Sequence, residues 1–272
     1  MKKQVPIAAS LRTGFNLTLG GLGTCIAIIL AFVSAFLLMR LLERLSVQMG
    51  PFAQVSLALP LYVLQMVVIA WLTSGWIVVA LRGVRTGKLS IAGFLSGKPW
   101  VLKLMIATFL TQLLGMLAFV PGFIAVVVIV ASVGPSASDV QTISSGMDLL
   151  FFVNQHAVFL IAVLATVGVG IIPPFLVGAY LGFAPCLIVD CNVGVMDSLR
   201  GSVTMAKGAI LSLVNFSVAF ALINLLGFLC LFVGLLITVP ATMLAYSVVY
   251  DSLLRQTEIQ YGGPPPIPGE ES

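Results

Sequence analysis

The chain has 272 residues, of which 60% are apolar and only 8% charged. Soluble domains carry about 25% charged residues, so a water-facing globular fold is excluded and lipid must solvate most of the surface. The net charge is +4, but the 13 basic residues lie beside long apolar runs rather than in a patch with aromatic platforms, which argues against nucleic acid as a partner.

Runs of about 20 mainly apolar residues, the length that crosses the hydrocarbon layer, recur along the chain. Residues 1–16, with Lys2, Lys3 and Arg12, read as a cytoplasmic N-terminal segment. The first span covers 17–42. Its apolar run is too long for a signal-peptide core and no small-residue cleavage site follows, so a retained signal anchor is expected. Gly20-Gly21-Leu22-Gly23 within it lacks the strand context of a nucleotide loop. The second span covers 57–81, and the third 104–131 with a kink or break expected at Pro121-Gly122. The stretch 149–189 is too long for one straight helix and contains Gly168, Gly170, Pro173 and Pro174. It reads as one kinked crossing or as a crossing plus a re-entrant piece. Spans 209–232 and 234–253 are nearly contiguous and form a tight hairpin, with Pro240 in the second. Residues 255–272 form a disordered cytoplasmic tail rich in proline and glycine. The expected fold is all-α and membrane-embedded: six spans over 17–254, with Gly/Pro breaks and short cytoplasmic interfacial helices.

Charge placement supports that count. With six crossings and the N-terminus inside, 11 of the 13 basic residues fall on the cytoplasmic side, and only Arg40 and Arg44 fall outside, beside Glu43. Short loops rich in Lys and Arg stay in the cytoplasm.

Two segments share a pattern. Gln112-Leu113-Leu114-Gly115 precedes Gly122, and Asn224-Leu225-Leu226-Gly227 precedes Gly234, with equal spacing. Each follows a cytoplasmic segment, 82–103 or 190–207. Such repeats are common in transporters. Both cytoplasmic segments look amphipathic. Met196, Leu199 and Val203 share a face in the second, and Ser198, Leu199, Ser202, Lys207 and Gly208 mark it as an interfacial helix. Lys98-Pro99-Trp100 suits an interface anchor.

The second repeat carries a recognisable pattern. Ala184-Pro185 leads to Asp190; Ser198 to Gly208 reads SLRGSVTMAKG; and Gly234 to Pro240 reads GLLITVP, with Tyr246 and Tyr250 beyond. Over about 171–254 the chain resembles bacterial YciC-like multi-span proteins related to the membrane domain of glycerophosphoryl diester phosphodiesterases. It departs from them at Val203, where they usually carry tryptophan. The resemblance implies a bacterial cytoplasmic (inner) membrane protein. It implies no phosphodiesterase activity, because the catalytic domain is missing.

No charge stands clearly inside a span; Lys103 and Arg40 lie at span ends, where long side chains snorkel. The neutral candidates are Gln65, Gln112, Asn215 and Asn224, read as hydrogen-bonding between helices or, for Gln112 and Asn224, as lining a solute pathway. His156, the single histidine, stands in a polar Asn154-Gln155-His156 patch and reads as an interface residue or a pH sensor. Gly178 and Gly182 form a GxxxG helix-packing pair. Cys25, Cys186, Cys191 and Cys230 show no metal spacing, so no metal or cofactor is expected. Paired carboxylates and nucleophile triads are also missing from the sequence pattern. The expectation is therefore a non-enzymatic protein that organises the bilayer or supports partners, with a small transporter or channel as the alternative. The bilayer is its partner; protein partners and homo-oligomers are left open.

Overall fold

The computed structural model describes residues 5–133, 157–230 and 234–257, and every regular element among them is helical. Residues 134–156, which include His156 and the start of the expected span 149–189, and residues 258–272 lie outside the described residues. The helices are α1 (Ile7–Gly20), α2 (Leu22–Gln48), α3 (Pro51–Thr86), a 3-10 segment (Ile91–Trp100), α4 (Val101–Val133), α5 (Ala157–Leu181), α6 (Ala184–Cys191), α7 (Val195–Ala206), α8 (Ile210–Leu229) and α9 (Leu235–Gln256). Six stretches are long and apolar enough to cross a membrane: Leu22–Gln48, Val55–Thr86, Val101–Ile129, Ile161–Cys191, Ile210–Leu229 and Leu235–Gln256. The chain is an all-α membrane protein. It divides into two compact units, residues 1–109 with 180–272, and residues 110–179.

In the first unit, α1 takes in most of residues 1–16, expected as a cytoplasmic N-terminal segment, and the start of the first expected span. The reason is a stripe of small residues. Ser10, Gly14 and Thr18 recur every fourth position, so they share one face, and all three are buried. That face lies along α9. A Cβ on Gly14 would collide with the Ala241 carbonyl and stand 2.9 Å from the Ala245 nitrogen. In lipid, where apolar faces gain little by meeting, such close backbone approach is what binds helices together. The chain bends at Gly21, where a Cβ would meet Leu89 at 2.8 Å. The first span therefore starts later than the sequence suggests, at Leu22.

α3 opens with Pro51, after Gly50 at φ 102, and closes with Gly87 at φ 73, whose N–H reaches the Gly83 carbonyl at 2.9 Å. This left-handed glycine terminates the helix by satisfying a last-turn carbonyl. The 3-10 segment then folds back along α3, burying Phe94 beside Ile28, Leu72 and Val79. Phe94 and Trp100 are buried, whereas Ile91 and Leu95 are exposed.

α5 runs through Pro173 and Pro174 without ending. Its break comes later, at Gly182 and Phe183. Pro185 explains the position: its ring crowds the carbonyl four residues back, at Leu181, and it has no N–H to continue the ladder. Ser202 on α7 binds the freed backbone. Its Oγ donates to the Tyr180 carbonyl at 2.7 Å and accepts from the Phe183 N–H at 3.1 Å.

The second unit pairs the α4 residues from 110 on with the α5 residues up to 179. The two helices meet backbone to backbone at Gly122 and Gly170, where a Cβ on Gly170 would stand 3.1 Å from the Gly122 Cα. Pro121 lies within α4 and does not break it.

Candidate functional site

Three helices of the first unit bring opposite charges together at their C-terminal ends. α3 supplies Arg85 from its last turn, α6 supplies Asp190, and α9 supplies Tyr250 and Asp251. Arg85 holds Asp190 in a two-pronged grip, Nη1 to Oδ1 and Nη2 to Oδ2, both at 2.7 Å. Its Nε donates to Asp251 Oδ1 at 3.2 Å. Asp251 Oδ2 accepts from Arg255 Nε at 2.9 Å, and the Tyr250 hydroxyl donates to Asp190 Oδ2 at 3.1 Å. Two arginines thus balance two aspartates.

Each position has a local cause. A cation in a last helical turn is favoured by the helix dipole, and a carboxylate there is not. Asp190 ends a helix that is buried along its length, with its own side chain 6% exposed. Its charge depends on the bidentate guanidinium opposite, because an uncompensated charge at this burial costs several kcal/mol, on the order of 3–5. α6 ends at Asn192, whose φ of 50 lies in the left-handed region that asparagine tolerates better than most residues. Lys103 Nζ donates to the Asn192 carbonyl at 3.1 Å and to its Oδ1 at 2.9 Å, anchoring α4 to the same helix end. Phe183 stacks on Tyr246 at 4.9 Å between centroids and leans on Tyr250 at 6.1 Å, packing an aromatic wall beside the ion pair.

The residues singled out in the sequence fall elsewhere. Gln65 lines an otherwise apolar groove of about 350 Å³ between α2 and α3. Gln112 is exposed and borders a hollow of about 700 Å³ in the second unit, with Met116, Phe119, Phe123 and Pro174. Asn224 belongs to the first unit, where its Nδ2 donates to the Phe220 carbonyl at 2.9 Å and to Thr242 Oγ1 at 3.1 Å. Its Oδ1 has no partner among the described residues. A Cβ on Gly178 would meet no atom within 4 Å, and Gly182 lies in the turn that ends α5. Close glycine packing falls instead on Gly122 and Gly170, because those are the positions where the two helices cross.

α7 is amphipathic, but with a different inward face. Met196 is 62% exposed, while Ser198, Leu199, Gly201, Ser202, Met205 and Ala206 are buried. Small residues face inward because α6 packs directly against this helix. Lys207 and Gly208 are exposed, and Gly208 turns the chain at φ 82. The two repeat motifs also diverge. Gln112, Gly115 and Gly122 stand within one unbroken helix, whereas Asn224 and Gly227 approach the end of α8. A Cβ on Gly234 would stand 2.7 Å from the Gly227 Cα, so this glycine pair closes the α8–α9 hairpin.

The Arg85 cluster does not follow from the charge rule, which counts Arg85 among the basic residues that set topology and gives carboxylates little weight. The available signal was three charges of both signs, Arg85, Asp190 and Asp251, each at the end of a long apolar run finishing on the same side.

The six candidate spans and the wholly helical fold define a multi-pass α-helical membrane protein. No family model matches the chain, and comparison with curated proteins and with solved structures finds no match either.

Proposed function

We propose that the protein is a non-enzymatic membrane protein that organises the surrounding bilayer or supports a partner through its helix surfaces. One observation carries this reading. The charged side chains where α3, α6 and α9 end neutralise one another, Arg85 with Asp190 and Asp251, and Arg255 with Asp251. The Arg85 pairs act as clasps between helices, and Arg255 braces Asp251 within α9, rather than standing as groups offered to a substrate. Asn224, the best pathway candidate of the first unit, bonds to Phe220 and Thr242. The broad outer faces of α2, α4 and α5 are apolar, with Leu30, Phe36, Leu38, Phe109, Phe123 and Leu164 exposed.

The test is flux in reconstituted vesicles. Potassium, chloride, phosphate and a neutral sugar are expected to cross no faster than in protein-free vesicles. Flux of any of them that is lost in Asn224→Leu would replace this reading with transport.

We place the protein in a bacterial cytoplasmic membrane with both termini inside. Support comes from the basic residues gathered on one side and from the resemblance to YciC-like proteins. Cys230, exposed at the end of α8, is then expected to react with an impermeant maleimide added outside intact cells. A C-terminal tag accessible from outside would reverse the assignment.

A further inference from the structure

The charge rule leaves one feature without a reason. Arg40 and Arg44 are the only basic residues at the far end of the predicted topology, where arginine is disfavoured in short loops. Both lie on α2, further along the helix than Met39, the last α2 residue that lines the groove with α3.

Depth along α2 separates these parts into two layers. At 1.5 Å per residue from Leu22, Arg40 stands about 27 Å along the helix and Arg44 about 33 Å. The hydrocarbon layer is about 30 Å thick, so the two guanidinium groups reach the level of lipid phosphates. The groove walls, Phe32, Phe36 and Met39 on α2 and Val68, Ile69 and Leu72 on α3, lie beneath them at acyl-chain depth. The two layers are joined, because the Arg40 guanidinium carbon stands 5.0 Å above the Phe36 ring. Glu43 accepts one bond from Arg40 at 2.7 Å and fixes its direction. Arg40, Glu43 and Arg44 border a shared hollow, leaving two positive charges against one negative.

We propose that α2 and α3 form a binding site for an anionic phospholipid, with an acyl chain in the groove and the phosphate on Arg40 and Arg44. The groove supplies area for the chain, and the arginines supply the charge that selects the headgroup. A zwitterionic lipid meets the same groove but gains less from the net positive rim. This site goes beyond the proposed surface role and is read independently of flux, so either can fail alone.

The test uses the full-length protein in phosphatidylcholine vesicles doped with phosphatidylglycerol that carries a photoreactive group in its acyl chain. After illumination, adducts are mapped by peptide mass spectrometry. Labelling is expected on the peptide spanning Phe32–Arg44. A cation near a membrane surface contributes on the order of 1 kcal/mol to attraction of anionic lipid, so R40Q/R44Q should reduce that labelling at least roughly fivefold. Ile69→Trp, which fills the groove from an exposed position, should reduce labelling while leaving both arginines in place. Photoreactive phosphatidylcholine should label the segment more weakly throughout. Equal labelling by the two lipids, or labelling unchanged in R40Q/R44Q, overturns the proposal and leaves an apolar groove filled by bulk lipid.

Discussion

Replacing Arg85 by glutamine strips Asp190 of both of its 2.7 Å bonds and leaves it, among the described residues, the 3.1 Å bond from Tyr250. The carboxylate is 6% exposed and stands at a helix C-terminus, so neither water nor the helix dipole compensates it. Breaking a buried pair from one side costs about 3–5 kcal/mol, and R85Q should fall in that range. Asp190→Asn is milder. Arg85 keeps its 3.2 Å bond to Asp251, and its side chain is 22% exposed, so the remaining charge is both paired and partly hydrated. Loss of a charged hydrogen-bond partner of this kind costs about 1–3 kcal/mol. In R85Q/D190N no charge is stranded, and directly contacting residues show coupling of about 0.5–3 kcal/mol. The double variant should therefore be more stable than the sum of the singles implies. Unfolding in mixed micelles of increasing sodium dodecyl sulfate, followed by tryptophan fluorescence, reads the difference. If R85Q costs under about 1 kcal/mol and the two effects add, the pair is a solvated surface contact and the argument from burial is wrong.

Three further outcomes follow from individual contacts. Ser202→Ala leaves the Tyr180 carbonyl and the Phe183 N–H without their bridge, at a cost of about 1–3 kcal/mol, measured by the same unfolding assay. Gly14→Leu forces α1 away from Ala241 and Ala245. Hydrogen exchange should accelerate along Ile7–Gly20, while α8 keeps its protection. Asn224→Leu removes the bonds to Phe220 and Thr242 but also an Oδ1 with no partner among the described residues. Its cost should lie near the lower end of the roughly 0.6–2 kcal/mol range for hydrogen bonds between membrane helices, and a larger loss would mean Asn224 has a further partner.

The spans were legible because crossing a bilayer imposes a length and a composition that no other constraint mimics. Details that depend on one helix meeting another were not. Ser10, Gly14 and Thr18 form a visible small-residue stripe, but only the position of Ala241 and Ala245 on α9 makes it a packing face. Gly178 and Gly182 form the same kind of motif, yet a Cβ on Gly178 meets no atom of the described residues within 4 Å. Pro173 and Pro174 are the obvious breaking points, yet the helix breaks at Gly182 and Phe183, where Pro185 interrupts the ladder and Ser202, distant in sequence, satisfies the freed backbone. Ser202 was marked in the sequence, but as part of an interfacial surface rather than for this bond.

The charged clasp answers a difficulty peculiar to helices in lipid. Apolar faces gain little by choosing one register over another, since lipid tails solvate them equally well. α3, α6 and α9 are apolar over most of their lengths and could slide past one another at small cost. A bidentate arginine tolerates little such movement. One helical residue is a rise of about 1.5 Å, and a shift of that size along either 2.7 Å bond carries it beyond hydrogen-bonding range. Because Arg85 also reaches Asp251, it fixes α6 and α9 from a single side chain. The short α6 benefits most. Its eight residues are too few to hold themselves in place as an isolated helix, and they are held at one end by Ser202 and at the other by Arg85 and Lys103. On this argument the cluster contributes register more than net stability, which is why breaking it from one side should cost more than neutralising it from both.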